Sequence, residues 1–538
     1  MTKLTERQAF QALLRQRQNK LWLRELFATD PERFERYSFE AAGVFVDGSR
    51  NLIDEATSRH LLQLAHEVGL ADARRALFAG EVVNLTEGRP ALHPLLRAAE
   101  QEIPPPWRGV ITENLEHMER FATGVRSGQI CGASGQPLHD VVNIGIGGSD
   151  LGPRLVCHAL AELADQRIRI HFVANVDGNE WEAVRQRLQP HNTLLLINSK
   201  SLTTAETERN TKTAMAWLIE QGVNEDGISQ HLAALTGNRQ AAVSMGVPEA
   251  RIFPVWDGVG GRYSLWGSSG LAIALYLGMP IFRALLNGAR QMDQHFLTAP
   301  LSVNIPVHLA LQELWYGQVL GAQTHAIVPY DQRLGLLPAY LQQLEMESNG
   351  KSVDMAGNPL STTSGPVLWG GVGTNAQHAF FQLLHQGTHL VPCDLLVVKY
   401  PGHNLPEHHA MLLANAVAQG RALMWGRTLA ETEAELAAAG HDRQTIRRLA
   451  PAMTFPGNRP SNTIMLNALT PVALGALLAM YEHKVFCHGI LLGINSFDQM
   501  GVELGKTIAK ALLPPLQGAP APEDLDSSTA GLLQRLRD

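Results

Sequence analysis

The sequence predicts an α/β fold built from two parallel-sheet units in series. Three observations predict it. Short, wholly apolar runs are bounded by glycine; segments of helical length separate them; and each half of the chain carries a Gly-rich turn directly after one such run. Apolar runs without alternation mark strands covered on both faces, which is the pattern of a parallel sheet sandwiched by helices. A chain of 538 residues also exceeds what one hydrophobic core sustains, so more than one domain is expected.

The elements follow in order. The first ~100 residues read as helices with polar faces, among them Thr5 to Ala28 and Ser58 to Val68. Pro104, Pro105 and Pro106 then punctuate the chain. Val141 to Ile146 reads as a strand that runs into a Gly-rich turn and a helix from Gly152, Ile168 to Ala174 as a second strand, and Thr193 to Ile197 as a third. The second set begins near His325, with a strand at Ala326 to Val328 and a helix at Pro338 to Met346, where the proline suits the first turn. Strands at Pro366 to Trp369 and Leu395 to Val398 flank a Gly-rich turn and a helix from Ala376. The tail, Pro514 to Asp526, is rich in proline and acid and is expected to be loosely held.

Composition removes several classes of function. Asp plus Glu outnumber Lys plus Arg, 51 to 44, and no basic run is long enough to hold nucleic acid or an anionic membrane. Cys131, Cys157, Cys393 and Cys487 are widely spaced, without a CxxC pair, which fits reduced thiols and a cytoplasmic protein. The N-terminus lacks an apolar signal core. The most membrane-like stretch, Ile464 to Met480, is interrupted by Asn467, Thr470 and Pro471 and reads as a buried helix.

Six segments carry candidate chemistry. Asn143-Ile-Gly-Ile-Gly-Gly-Ser149-Asp-Leu-Gly-Pro153 lets backbone amides approach an anion at a helix start, or serves only as a tight strand-to-helix turn. It lacks the Gly-Lys-Ser/Thr of a nucleotide loop, and Asp150 stands where a dinucleotide fingerprint ends in glycine. Ser199-Lys-Ser-Leu-Thr-Thr204 packs four hydroxyls and an ammonium into one turn. One helix cap needs one hydroxyl, so a monophosphate cradle is favoured. Gln343-Leu-Glu-Met-Glu347-Ser-Asn-Gly-Lys351 ends a helix, and on spacing alone Glu345 and Glu347 compete as the functional carboxylate. His378, Gln382 and His385 fall at i, i+4 and i+7 on an apolar helix; Gln499, Glu503 and Lys506 share another face, either salt-bridged or functional. Gly260-Gly-Arg262 either aims a guanidinium into a cleft or caps a turn. The cluster His403, His408 and His409 lacks metal-ligand spacing.

Together these segments resemble the glucose-6-phosphate isomerase family. The strings NIGIGGSDLGP, SKSLTT, GGRYSLW, MESNGK, GTNAQHAF and SFDQMGVELGK stand in that family's order and span positions 143 to 506. The resemblance implies two sugar-isomerase (SIS) domains, each a parallel sheet between helices, with helical N-terminal and C-terminal extensions. It implies a helical segment 1–104 packing on the second domain, a first domain 105–285 with the phosphate loops, a second domain 286–505 with the base, and a C-terminal helix and tail 506–538. It also implies roles. Gly148, Ser149, Ser199, Lys200, Ser201 and Thr204 would hold the phosphate; Gln343 and Gln499 would line the sugar; Glu347 would be the base and Arg262 would face the ene-diolate; His378 and Lys506 would open the sugar ring. A homodimer, with His378 reaching in from the partner subunit, would complete each site. The implied reaction is aldose–ketose isomerisation of glucose 6-phosphate in glycolysis and gluconeogenesis, which moves hydrogen between two carbons and calls for neither cofactor nor metal. A sugar-phosphate sensor on the same fold would need the cradle but not Glu347, His378, Arg262 and Lys506 together.

Overall fold

The computed structural model describes residues 2–537 and divides into two compact units, one reaching to Ser496 and the other starting at Phe497. In chain order the strands are β1 Ser38–Ala41, β2 Val44–Asp47, β3 Val82–Asn84, β4 Arg89–Pro90, β5 Asp140–Ile144, β6 Arg169–Val173, β7 Thr193–Asn198, β8 Leu232–Thr236, β9 Ile252–Pro254, β10 Thr324–Tyr330, β11 Val367–Gly370, β12 Cys393–Val398 and β13 Ser461–Leu466.

The larger unit contains two main sheets. The first runs β6-β5-β7-β8-β9, all parallel. Its central strands β5, β7 and β8 are buried along their whole length, as their unbroken apolar runs require. Val142, Ile144, Leu195 and Ile197 pack under Trp181, Trp217 and Leu218 of the covering helices. The second sheet runs β1-β2-β13-β12-β10-β11, with β13, β12, β10 and β11 parallel. Ala326, Val328, Leu395 and Val397 pack there against Phe381, Leu384 and Leu423. In each half the first strand sits between its successors, so the chain reverses direction across the sheet beside β5 and beside β10.

Several expectations are corrected by tertiary contacts. The hairpin β1–β2 lies in the segment read as helical and pairs antiparallel onto β13. The helix expected from Thr5 to Ala28 is two helices, Gln8–Gln16 and Leu23–Thr29. Between them Asn458 ties the chain down, accepting from Leu23 N at 2.7 Å and donating to Leu21 O at 2.9 Å. The stretch Ile464 to Met480 is the end of β13 followed by a helix, Pro471–Leu492, whose N-cap Thr470 accepts from Ala473 N. Among the described residues no helix is long and apolar enough to cross a membrane.

The helix Pro471–Leu492 is buried almost throughout and crosses the helix Met279–Thr298 at close range. A β-carbon on Gly288 would stand 1.8 Å from Val472 O, and one on Gly475 2.0 Å from Leu285 O, so only glycine permits the approach. The expected domain limit at residue 285 falls inside Met279–Thr298, and that at 505 inside the helix Glu503–Leu516 of the smaller unit. Pro514 and Pro515, expected in a loose tail, lie in the last turn of that helix.

Candidate active site

The loops that follow β5 and β7 stand at the carboxyl ends of adjacent strands beside the first reversal, where open parallel sheets hold ligands. The Gly-rich turn after β5 is fixed from below by two asparagines. Asn143 Nδ2 and Asn198 Nδ2, each from the end of its strand, both donate to Ser149 O at 3.0 Å. Gly147 has φ +63°, and a β-carbon there would meet the Gln343 amide at 3.0 Å. A β-carbon on Gly148 would stand 1.8 Å from Gly261 O, so this turn packs directly on the segment that carries Arg262.

After β7, the hydroxyls of Ser199 to Thr204 converge. Ser199 Oγ accepts from Leu202 N at 3.2 Å and lies 3.4 Å from Thr204 Oγ1; Ser201 Oγ and Thr203 Oγ1 are 2.7 Å apart. Leu202 takes the left-handed conformation, φ +56°, which closes the curl. Thr204 occupies the N-cap of the helix Ala205–Glu220 yet makes no side-chain cap bond. The Thr204 hydroxyl therefore does not serve as the cap of this helix. Lys200 Nζ donates to Asp257 O at 2.9 Å and Val259 O at 3.3 Å, which joins the cradle to the run leading into Gly260-Gly261-Arg262. Burial lowers the pKa of this ammonium.

Arg262 is 1% exposed. Its Nε donates to Ser348 Oγ at 2.6 Å and its Nη2 to Ser496 O at 2.5 Å, while Nη1 stands 3.7 Å from Glu347 Oε2. Glu347 closes a π turn, Gln343–Glu347, that continues the helix Leu337–Gln342; such turns recur at functional sites. The Glu347 side chain is 18% exposed, and its Oε2 is buried without a hydrogen bond.

Glu345, the competing carboxylate, points elsewhere. It is 1% exposed and accepts from Asn349 Nδ2 at 2.9 Å and Lys484 Nζ at 3.2 Å, with His488 Nδ1 at 3.2 Å. Lys484 also donates to Glu313 Oε2 at 2.8 Å, and Glu313 bonds His325, whose other nitrogen faces Asp394. Burial, the largest single influence, would raise the Glu345 carboxyl, but the Lys484 ammonium and His488 together outweigh it and hold the group low. This charge belt lies between β10, β12 and the helix Pro471–Leu492. Its sequence signal was the run Glu482-His-Lys484 inside an otherwise apolar helix.

The remaining predicted residues sit as follows. Gln343 joins the Gly147 turn and the Glu347 turn. His378 is exposed at the end of a short turn, Ala376–His378. The expected stripe with Gln382 and His385 is broken, because Phe380 leaves helical geometry to pack edge-on against Trp369 at 4.7 Å; a new helix starts at Phe381. His385 is engaged by Gln419 at 2.8 Å. In the smaller unit Gln499 precedes the turn Met500–Val502, outside the helix it was expected to share. Lys506 is exposed and paired with Glu503 at 2.8 Å. Among the described residues no cluster of three or more His, Cys, Asp or Glu side chains could hold a metal ion.

Comparison with known proteins adds to this geometry. A family model described as phosphoglucose isomerase matches residues 47–533. The chain is 47% identical over 539 positions to the glucose-6-phosphate isomerase of Pseudomonas syringae pv. syringae (strain B728a), covering 98% of this chain and 97% of that one. The same figures hold for the glucose-6-phosphate isomerase of Pseudomonas fluorescens (strain Pf0-1). The crystal structure of a glucose-6-phosphate isomerase from Chlamydia trachomatis matches the fold with a TM-score of 0.85 at 29% identity, covering 99% of both chains.

Proposed function

The chain belongs to the phosphoglucose isomerase family, and from that premise we propose how it interconverts D-glucose 6-phosphate and D-fructose 6-phosphate. The phosphate sits among Gly148, Ser149, Ser199, Lys200, Ser201 and Thr204. These contacts lie away from the reacting carbons, so their binding energy goes into placing C1 and C2. Glu347 takes the proton from one carbon and returns it to its neighbour through a cis-ene-diolate. Arg262 faces the oxygen on which negative charge develops. Gln343 and Gln499 line the sugar, and His378 and Lys506 open the ring. The observation that carries this assignment is the guanidinium 3.7 Å from a carboxylate oxygen that is buried without a hydrogen bond.

The working protein is a cytoplasmic homodimer in this reading, with His378 serving the partner's site; its exposure on a surface turn supports that role, and four free cysteines fit a reducing compartment. The test is a coupled assay of fructose 6-phosphate conversion with and without EDTA. Turnover that persists in EDTA is expected, and absence of turnover overturns the reading. Mixing His378→Ala with Glu347→Gln protein then tests the dimer. Exchange of subunits should rebuild one intact site per mixed dimer and restore activity. Two variants that stay inactive together remove His378 from the partner's site.

A further inference from the structure

We propose that Ser348 is a positioning residue for the isomerisation, its hydroxyl setting the plane of the Arg262 guanidinium. The proposal rests on the reading of Glu347 and Arg262 given above. A guanidinium is a rigid planar fork, so two anchored nitrogens fix where the third points. Here Nε is anchored on Ser348 Oγ at 2.6 Å and Nη2 on Ser496 O at 2.5 Å, and Nη1 consequently stands by Glu347 Oε2.

The anchor is itself held. Ser348 is fully buried, and its Oγ lies 3.0 Å from Tyr263 OH, whose ring stacks on His93 at 4.5 Å. The second anchor is braced from the same turn: Asn349 Oδ1 accepts from Ser496 Oγ at 2.8 Å. Three consecutive residues thus carry the base, the direct clamp on its cationic neighbour, and the support of the second clamp. Because base and clamp are adjacent in one turn, the geometry of that turn bears directly on the spacing of Glu347 and Arg262.

The test compares Ser348→Ala with wild type by steady-state kinetics and by inhibition with a phosphorylated aldonohydroxamate, a mimic of the ene-diolate. Loss of a hydrogen bond to a charged group predicts a fall in kcat of about 10- to 100-fold, with KM little changed and the mimic bound more weakly by a similar factor. A variant that loses only packing would show unaltered kcat in its folded fraction, and that result overturns the proposal. A double-mutant cycle with Arg262→Lys gives the second reading. Lysine has no Nε to anchor, so adding Ser348→Ala to it should cost nothing further, whereas additive losses overturn the assignment. If Ser348→Ala fails to fold, Ser348→Cys, similar in volume but a poor acceptor, is read by the same two outcomes. Wild-type protein without isomerase activity would sink the functional reading; an active wild type with an unaffected Ser348→Ala sinks this proposal alone.

Discussion

Glu345 and Glu347 lie two residues apart in one π turn and open onto different regions of the molecule. Glu345 enters the closed charge belt beneath the second sheet, where Asn349, Lys484 and His488 surround it. Glu347 is 18% exposed, with Arg262 beside it at 3.7 Å. The first carboxylate has its hydrogen bonds filled by the protein and its ionised form locked in place. The second retains an oxygen that the protein leaves unbonded. Burial and charge alone favour Glu345; what separates the two is whether the fold has already satisfied the group.

The largest test of this contrast is Glu347→Gln. It should lower kcat by about 10³-fold or more while thermal unfolding stays near wild type. Near wild-type turnover in that variant, alongside a dead Glu345→Gln, would reverse the comparison. Glu345→Gln should instead act on stability. It leaves Lys484 short of a buried partner, at a cost of about 3–5 kcal/mol in denaturant unfolding, with kcat of the folded protein little changed.

A smaller effect is read against pH. Glu345 is held below its ordinary value of 4.5, so its contribution is present above that pH and lost as pH falls beneath it. His325 works in the opposite sense. Burial disfavours its charged form, but Glu313 and Asp394 outweigh this and raise its pKa to about 10. Its contribution is whole below pH 6.5 and lost as pH rises through about 10. Unfolding free energies across these ranges should flatten on the acid side in Glu345→Gln and on the alkaline side in His325→Gln. Smaller again, Lys200→Ala should raise KM by about tenfold with a lesser effect on kcat, since it removes a charged donor remote from the reacting carbons. A matching fall in kcat would place Lys200 with Arg262 instead.

The parts of the candidate site were legible because they are local. The Gly-rich turn, the hydroxyl cradle and the Glu-Ser-Asn helix end each fit within a dozen residues and need particular residue types at fixed spacing. Strands β5, β7, β10 and β12 were legible for the same reason: buried parallel strands are unbroken apolar runs. What failed was decided at a distance. Strands β8 and β13 were missed as strands, although both are largely buried. The hairpin β1–β2 exists because β13 offers it an edge, about 420 residues downstream. The stripe from His378 to His385 obeyed helical spacing, yet Phe380 found a better partner in Trp369. Spacing alone left Glu345 and Glu347 as equals, because the partners that distinguish them, Lys484 and Arg262, lie far along the chain in opposite directions.

The two clamps on Arg262 come from 86 and 234 residues further along the chain. During synthesis the guanidinium is therefore made long before anything exists to aim it, and its second anchor arrives only with residue 496. A nascent or truncated chain ending short of that point would carry Ser199 to Thr204, Arg262 and Glu347, yet Arg262 would lack the Ser496 carbonyl that holds its Nη2. A chain cut between β9 and β10 would restore that support only when both fragments are present, so activity regained on mixing would report their docking.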